Sequence, residues 1–362
     1  NEYEKAIFWL NESNLDLLSP AQQEAYTFRL AYSLLQTGEM DKARSYFARI
    51  EQIGNTYKEA ATYYVAYIDY ATGQYNQALN EFARLKNSPE FSEQSLYYIA
   101  QIYFIQNKFE KVIKEGESLL DRYPNSSNNG EIYRIVGDSY YHLGDQDKAI
   151  QMLSKYVSLT ETPLRSDLYL LGVCYFNKGN YNSAINLLGR TVNQNDELTR
   201  NANLYLGQSY LKLGNKNNAR MAFEAAATSS FDKQIKEVAM YNYALLIHET
   251  SFTGFGESVT IFEYFLNDFP NSKYADKVND YLVEVYLTTK NYEAALKSIN
   301  KIKHPSTKIL EAKQDILFQL GTQAFTNMQL DKAVSLFNQA IQLGTYNIGA
   351  RNDAYFWRGE SY

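Results

Sequence analysis

The sequence has few of the residues on which disulfide, metal-bound or membrane folds depend. One cysteine among 362 residues excludes an internal disulfide, and three scattered histidines form no metal motif such as HExxH. Six prolines and 18 glycines are too few for a disordered or collagen-like chain. No stretch approaches the roughly 18 consecutive apolar residues that a membrane span requires. We therefore expect a folded chain without a metal, a cofactor or a transmembrane segment.

Positive charge is also scarce. Lys and Arg total 35 against 41 Asp and Glu, a net charge of -6, and no run of basic residues offsets this acidity. Nucleic-acid binding requires Lys and Arg that neutralise phosphates. The composition therefore predicts no nucleic-acid partner.

Aromatic residues are abundant, with 33 Tyr and 19 Phe, and they recur periodically. An aromatic-rich helical segment is followed by Gly or Asn, a few polar residues and then Ala. Clear copies occupy residues 32–43, 68–78, 139–149, 174–184 and 209–219. The anchor residues that follow the polar segment, 34 to 39 positions apart, are Ala6, Ala43, Ala78, Val112, Ala149, Ala184, Ala219, Ser258, Ala295 and Ala333. A period of this length predicts stacked helical hairpins.

This pattern resembles the tetratricopeptide repeat (TPR). One copy matches the TPR pattern at Leu168, Leu171, Gly172, Tyr175, Tyr181, Ala184 and Leu188. The small residues where paired helices should approach closely are Ala31, Ala66, Ala100, Gly137, Gly172, Gly207 and Gly321. Gly116 replaces a large second-helix residue, so we expect looser packing there. The resemblance implies an all-α fold: a right-handed superhelical α-solenoid of antiparallel helix pairs, with about nine full and two half repeats.

We expect residues 1–362 to form one such solenoid. The predicted repeats are 1–18 (half), 24–57, 59–92, 93–129, 130–164, 165–199, 200–235, 237–275, 276–312, 314–347 and 351–362 (half). Because the first half lacks a first helix and the last lacks a second, we expect a fragment of a longer chain; alternatively, each half caps the array. Residues 250–256 are predicted to be an elongated turn with Phe255 packed, or else a partner-contacting hinge that carries Phe252 and Phe255.

No catalytic motif is visible in the sequence. Cys174 lies within a first helix, where a small apolar side chain is expected, so packing explains it better than reactivity. His248 has no second histidine four residues on, and the carboxylates are scattered on helix exteriors. We therefore predict that the chain is not an enzyme.

The remaining functional candidate is a surface. In TPR arrays the fifth, ninth and twelfth residues of the first helices face the concave groove. Applied here, that resemblance implies a partner-binding groove that includes Tyr32, Tyr63, Tyr67, Tyr70, Tyr97, Gln101, Phe104, Arg134, Asp138, Tyr141, Tyr169 and Phe176. The alternative is that many of these tyrosines pack against neighbouring repeats.

An aromatic groove suits a peptide or an amphipathic helix of a partner protein, so we predict a protein-binding scaffold of unknown oligomeric state. The carboxylate clamp of some TPR co-chaperones is disfavoured, because it needs paired Lys and Asn. The alternatives are glycan binding, or a docking or sensory module of a larger envelope or regulatory protein. The YPNS (123–126) and FPNS (269–272) phrases resemble those of bacterial cell-envelope TPR proteins. A periplasmic or outer-membrane-associated location is therefore expected, with a cytoplasmic one as the alternative.

Overall fold

The computed structural model describes residues 2–13, 15–228, 232–250 and 256–362. Every regular element within those ranges is helical, and the chain falls into two compact units, Asn1–Lys178 and Gly179–Tyr362. Unit 1 contains α1 (Glu2–Asn11), α2 (Pro20–Gln36), α3 (Met40–Ile53), α4 (Lys58–Ala71), α5 (Tyr75–Arg84), α6 (Ser92–Ile105), α7 (Phe109–Arg122), α8 (Asn129–His142), α9 (Gln146–Leu159) and α10 (Arg165–Asn177). A short 3-10 turn at Leu15–Leu17 connects α1 to α2.

Unit 2 contains α11 (Tyr181–Gly189), α12 (Glu197–Lys212), α13 (Lys216–Ala227), α14 (Lys233–Thr250), α15 (Glu257–Asp268), α16 (Ala275–Thr288), α17 (Tyr292–Ile299), α18 (Thr307–Thr326), α19 (Leu330–Gln342) and α20 (Ile348–Ser361). The twenty α-helices of the described residues are the number that nine pairs and two single helices require. The predicted α-solenoid of stacked helix pairs is confirmed. Its extent as one solenoid over the whole chain, and the repeat boundaries, stay predictions.

Seven of the described turns inside helix pairs contain a left-handed residue after the first helix. Gly38, Gly73, Gly144, Gly179 and Gly214 have φ between 74° and 87°, a region that glycine enters without the steric cost of a Cβ. Two pairs make the same turn without glycine, at Asn107 (φ 55°) and Met328 (φ 60°). The glycine-terminated first helices that the sequence predicts are therefore present.

A serine or threonine followed by proline predicts a helix start, at Ser19-Pro20, Ser88-Pro89 and Thr162-Pro163, and the structure agrees only in part. Ser19 and Pro20 begin α2 as expected, and the backbone N–H of Ser19 donates to Gln22 Oε1 at 3.0 Å. The helix start expected at Ser88 and Pro89 is wrong, because α6 begins at Ser92. Ser88 instead stabilises a turn, accepting backbone N–H bonds from Glu90 and Phe91.

The core of each pair is built around the anchor position. The alanines at this position from Ala43 to Ala333 are 0% exposed, as is Val112. Four residues later, one helical turn on, a large side chain fills the space between the paired helices. These residues are fully buried as well: Phe47, Phe82, Leu153, Phe223 and Phe337. One small and one large residue per second helix thus define the packing.

The facing first helix has a small residue at the point where that large side chain packs. We call this position the seat. A Cβ placed at Gly207 would lie 2.7 Å from Phe223 Cδ1, and one at Gly321 would lie 2.5 Å from Phe337 Cε1. At Gly137 the nearest atom would be Leu153 Cγ, at 2.8 Å. The absence of a side chain at these glycines is therefore what brings the two helices together.

Hydrogen bonds to carboxylates near the start of first helices also connect successive helix pairs. Ser88 Oγ, in the turn after α5, donates to Glu59 Oε2 at 2.7 Å, and Ser126 Oγ, after α7, donates to Glu93 Oε1. In unit 2 the Ser272 hydroxyl donates to Glu237 in the same way. We call these three contacts the carboxylate joints. They satisfy polar groups in turns between helix pairs.

Two features of the sequence remain to be placed. Phe252 and Phe255, the side chains of the predicted hinge or turn, lie outside the described residues, as the ranges above show. Within those ranges, no helix is both long and apolar enough to cross a membrane.

Candidate partner-binding surface

All twelve predicted groove residues lie on first helices of unit 1, namely α2, α4, α6, α8 and α10. Ten are half-buried: Tyr32, Tyr63, Tyr67, Tyr70, Tyr97, Phe104, Arg134, Tyr141, Tyr169 and Phe176. The other two, Gln101 and Asp138, are buried at 8% and 9% exposure. Their role in binding a partner stays a prediction.

Five tyrosines of α4 and α6 form one continuous cluster around Tyr98. The Tyr98 ring centroid lies 5.3 Å from that of Tyr97 and 4.9 Å from that of Tyr70. Tyr67 is 5.8 Å and Tyr63 is 6.4 Å from the same ring. We call Tyr63, Tyr67, Tyr70, Tyr97 and Tyr98 the tyrosine cluster. Such spacings are those of favourable tilted and edge-to-face ring pairs.

The cluster is anchored to the core on one side. Tyr98 stacks on fully buried Phe82 of α5 at 5.1 Å, and Tyr63 stacks on Phe91 at 5.1 Å. The packing on neighbouring repeats that the sequence raised as an alternative is therefore present for these two rings, while the binding of a partner stays a prediction. Part of each ring packs on neighbouring repeats, and the rest remains accessible.

The hydroxyls of four cluster tyrosines, Tyr63, Tyr70, Tyr97 and Tyr98, stay neutral at ordinary pH. Burial raises the pKa of Tyr63 and Tyr98. Burial also raises the pKa of Tyr70 and Tyr97, and the nearby Glu131 carboxylate adds to the rise. Each hydroxyl can therefore donate or accept a hydrogen bond without carrying charge.

A charged group adjoins the cluster on α8. Arg134 donates to Glu131 through Nε and Nη2, both at 2.7 Å, and Gln101 Nε2 donates to Glu131 Oε1 at 3.0 Å. The guanidinium also lies 5.3 Å from the centre of the Phe104 ring. Burial opposes ionisation of Glu131, but the bonds from Arg134 and Gln101 outweigh it and lower the pKa of the carboxyl. Arg134 is thus engaged within the array.

Two further carboxylates face Arg134. Asp167 Oδ1 lies 3.8 Å from Arg134 Nη1, and Asp138 Oδ1 lies 3.2 Å from His142 Nε2. Burial raises the pKa of both aspartates, and the Arg134 charge partly opposes this rise. Arg134 therefore lies among three carboxylates, of which Asp138 and Asp167 are buried.

Sequence reasoning missed two residues that organise the surface. Tyr98 is the centre of the tyrosine cluster, and Tyr64 connects Tyr32 to Phe47, with centroids 5.6 Å and 5.0 Å away. Both follow a predicted groove tyrosine directly, in the doublets Tyr63-Tyr64 and Tyr97-Tyr98. The doublet itself is the signal that could have identified them, since adjacent helical residues point to adjacent faces.

The one cysteine of the sequence is buried within α10. Burial raises the pKa of the Cys174 thiol to about 12, which suits a packed side chain better than a nucleophile. Within the described ranges, no three His, Cys, Asp or Glu residues are grouped so that they could hold a metal ion.

Comparison with known families supports the repeat assignment. The model described as tetratricopeptide repeat matches residues 24–52, which hold most of α2 and most of α3. A second family model, described as anaphase-promoting complex, cyclosome, subunit 3, matches residues 142–226. Anchor spacing, small-residue seats and paired helices agree with these matches. Together with the repeat architecture, the two matches support a tetratricopeptide-repeat protein.

Solved structures that the chain resembles are distant in sequence. YrrB, described as a TPR protein with an unusual peptide-binding site, is 17% identical with a TM-score of 0.46, over 54% of this chain and 96% of YrrB. The C-terminal part of a TPR protein from Cytophaga hutchinsonii is 17% identical with a TM-score of 0.45, over 76% of this chain and 100% of that one. A TPR protein from Parabacteroides merdae is 15% identical with a TM-score of 0.40, over 73% and 97% of the two chains. No curated protein matches the chain in sequence.

Proposed function

We propose that unit 1 binds an extended peptide or an amphipathic helix of a partner protein on its tyrosine cluster. At a coarser level the family itself defines the role, because TPR arrays are scaffolds for protein-protein interaction. The observation that carries the finer proposal is the half-burial of several tyrosines on one face. Rings held in place by their neighbours lose little entropy when a partner covers them, and their remaining surface is apolar with a polar edge.

The charged group beside the cluster supports an interface dominated by aromatic contacts. Arg134 already donates two hydrogen bonds to Glu131, so a partner's carboxylate would have to displace an existing pair. A carboxylate clamp is therefore a poor description of this surface. We expect the affinity to fall only slightly between low and moderate salt, because contacts between apolar surfaces are not screened.

A peptide-display library selected on the intact chain supplies a defined ligand for testing this proposal. Affinity of the selected peptides is then measured for a variant with Tyr67→Ala and Tyr97→Ala. Loss of a buried aromatic anchor costs about 2 kcal/mol or more at an interface, which corresponds to about thirtyfold in affinity. We expect at least that loss, with the helical circular dichroism signal retained.

Two controls separate the role of these rings from general damage. Tyr264→Ala removes a tyrosine that is 59% exposed on α15 of unit 2, and we expect it to bind like the unsubstituted chain. Tyr67→Phe with Tyr97→Phe keeps both rings and should retain most of the affinity. Unchanged affinity in the double alanine variant would refute the proposal, and hits on a glycan array that this variant abolishes would support sugar binding instead.

We also propose a bacterial cell-envelope location, periplasmic or associated with the outer membrane. It is supported by the YPNS and FPNS phrases, whose serines, Ser126 and Ser272, both form carboxylate joints. Fractionation of a source organism, with the chain detected by antibody, tests this location. Recovery in the cytoplasmic fraction alone would contradict it.

A further inference from the structure

Asp138 of α8 is a buried carboxylate whose charge is poorly satisfied. Its side chain belongs to a residue that is 9% exposed, and its Oδ1 accepts no hydrogen bond from any described residue. Two other buried carboxylates are paired, by contrast: Asp69 accepts two bonds from Arg44, and Glu263 accepts the Ser298 hydroxyl. Burial of a carboxylate without such partners costs free energy. Asp138 is therefore an exception that needs a physical reason.

Asp167 of α10 is a second carboxylate of this kind. It is 1% exposed, and its Oδ2 accepts no hydrogen bond within the described part of the chain. Its Oδ1 lies 3.8 Å from Arg134 Nη1 and 3.5 Å from Ser166 Oγ, so both contacts are long. Burial raises the pKa of Asp167, and neither Arg134 nor the Tyr156 hydroxyl offsets the rise.

The one guanidinium nearby is already engaged. Arg134 donates to Glu131 through Nε and Nη2, both at 2.7 Å. The His142 imidazole lies 3.2 Å from Asp138 Oδ1 but is charged only when protonated, and its side chain is 47% exposed. We call Glu131, Asp138 and Asp167 the acidic cluster. Three carboxylates thus share one permanent positive charge, and a second cation would complete the cluster.

The acidic cluster adjoins the tyrosine cluster. Besides burial, the Glu131 charge raises the pKa of Tyr70 and Tyr97, which places this carboxylate beside the two rings. Asp138 follows Arg134 by four residues and so lies on the same face of α8, about 6 Å further along the helix. An extended peptide advances about 3.3 Å per residue. A segment that covers the tyrosine cluster therefore needs only a few more residues to pass Asp138.

We propose that the partner segment carries a lysine or an arginine whose charged group binds the Asp138 carboxylate. This inference rests on the proposed function, because it concerns the same bound segment. Asp138 makes the contact, since it retains some exposure and its neighbour His142 lies at the surface, whereas Asp167 acts through its charge alone. Salt screens a buried ion pair much less than an exposed one, so the contact agrees with the weak salt dependence expected above.

Peptides selected from the display library on the intact chain are the probes. We expect a lysine or an arginine to be enriched at one position among the peptides that bind. For each lead peptide an analogue replaces this residue by a neutral one of similar shape, norleucine for lysine or citrulline for arginine. Loss of one charge from a buried pair should weaken binding to the unsubstituted chain at least about tenfold.

Asp138→Asn keeps the size of the side chain and removes its charge. We expect this variant to bind the basic peptide and its neutral analogue equally, which is the result of a double-mutant cycle for two groups in direct contact. Asp121→Asn removes the same charge from an exposed position of α7 and should retain the preference for the basic peptide. The thermal midpoint of unbound Asp138→Asn should equal or exceed that of the unsubstituted chain, because an unpaired buried charge is removed.

The outcomes separate this inference from the proposed function. Absence of an enriched basic residue, or a preference for it that survives Asp138→Asn, would overturn the inference while binding on the tyrosine cluster stands. A lowered midpoint with equal losses for both peptides would assign Asp138 a structural role and overturn it as well. If alanine at Tyr67 and Tyr97 leaves the affinity unchanged, the proposed function fails, and the preference on the Asp138→Asn chain still decides whether Asp138 binds a cation.

Discussion

Gly321 offers a direct measurement of how tightly a helix pair is packed. A methyl group there would lie 2.5 Å from Cε1, 2.7 Å from Cδ1 and 3.0 Å from Cζ of Phe337. Carbon atoms prefer separations of roughly 3.5–4.0 Å, and the Phe337 ring is fully buried, so it has no solvent space to move into. Overpacking of this kind costs about 1–3 kcal/mol. Against it stands the helix propensity of alanine, about 1 kcal/mol better than that of glycine.

Gly359→Ala is the matched variant for this measurement. It adds the same methyl group at the same register position of a first helix, but no described atom lies within 4 Å of it. The propensity gain is common to both variants, so their difference in unfolding free energy isolates the packing cost. We expect Gly359→Ala to stabilise the chain by up to about 1 kcal/mol and Gly321→Ala to be about 1–3 kcal/mol less stable than that.

Stability in a repeat array is carried by each repeat and its nearest neighbours, so a local assay suits the comparison of these two glycines. Hydrogen exchange of α18, α19 and α20, followed by mass spectrometry at low protein concentration, reports the opening free energy of each segment. Adding Phe337→Leu to Gly321→Ala should recover part of the loss, because the smaller side chain leaves room for the methyl group. Equal effects at Gly321 and Gly359, or no coupling to Phe337, would refute the close packing inferred for this pair.

Arg44→Ala should destabilise unit 1 by about 3–5 kcal/mol in urea unfolding, because Asp69 is 0% exposed and its carboxylate receives Arg44 Nε at 2.6 Å and Nη2 at 2.9 Å; a loss below about 1 kcal/mol would contradict this. Met328→Gly should stabilise unit 2 by about 1 kcal/mol, because φ is 60° and the side chain is 79% exposed; a lower thermal midpoint would count against it. Burial raises the pKa of Asp167, so the folded state binds its proton more readily and stability rises as pH falls. The unsubstituted chain should therefore gain thermal stability relative to Asp167→Asn between neutral pH and about pH 4, and parallel melting curves would contradict this.

The helix pairs follow from the sequence because their determinants lie close together and repeat. An anchor such as Ala333 and the large residue one turn later, Phe337, specify the second helix, and Gly321 specifies its seat. The same contact recurs at nearly constant spacing, so local pattern and tertiary packing carry the same information. Agreement between the two levels is why the fold class could be predicted.

Contacts between repeats were less predictable. Gly116 was expected to mark looser packing, yet a Cβ there would lie 2.4 Å from Val136 Cγ2, so the next pair fills the space. Nothing in the sequence marks Val136 of the following helix as the residue that fills the space beside Gly116. The bidentate pair of Arg134 with Glu131 and the place of Tyr98 at the centre of its cluster escaped prediction for a similar reason. The position of a residue within a repeat predicts the helix face on which it lies. The side chains of the adjoining repeat determine what that residue contacts.

The carboxylate joints have a mechanical consequence. Apolar side chains can slide past one another at small cost, because dispersion and burial depend weakly on direction. A hydroxyl that is hydrogen-bonded to a fixed carboxylate cannot shift in this way, since the hydrogen bond weakens steeply when its angle changes. Within unit 1 the joints at Ser88 and Ser126 therefore resist bending more than turns without such a bond. An applied force should therefore bend unit 1 less at these two turns than at a turn that no carboxylate holds.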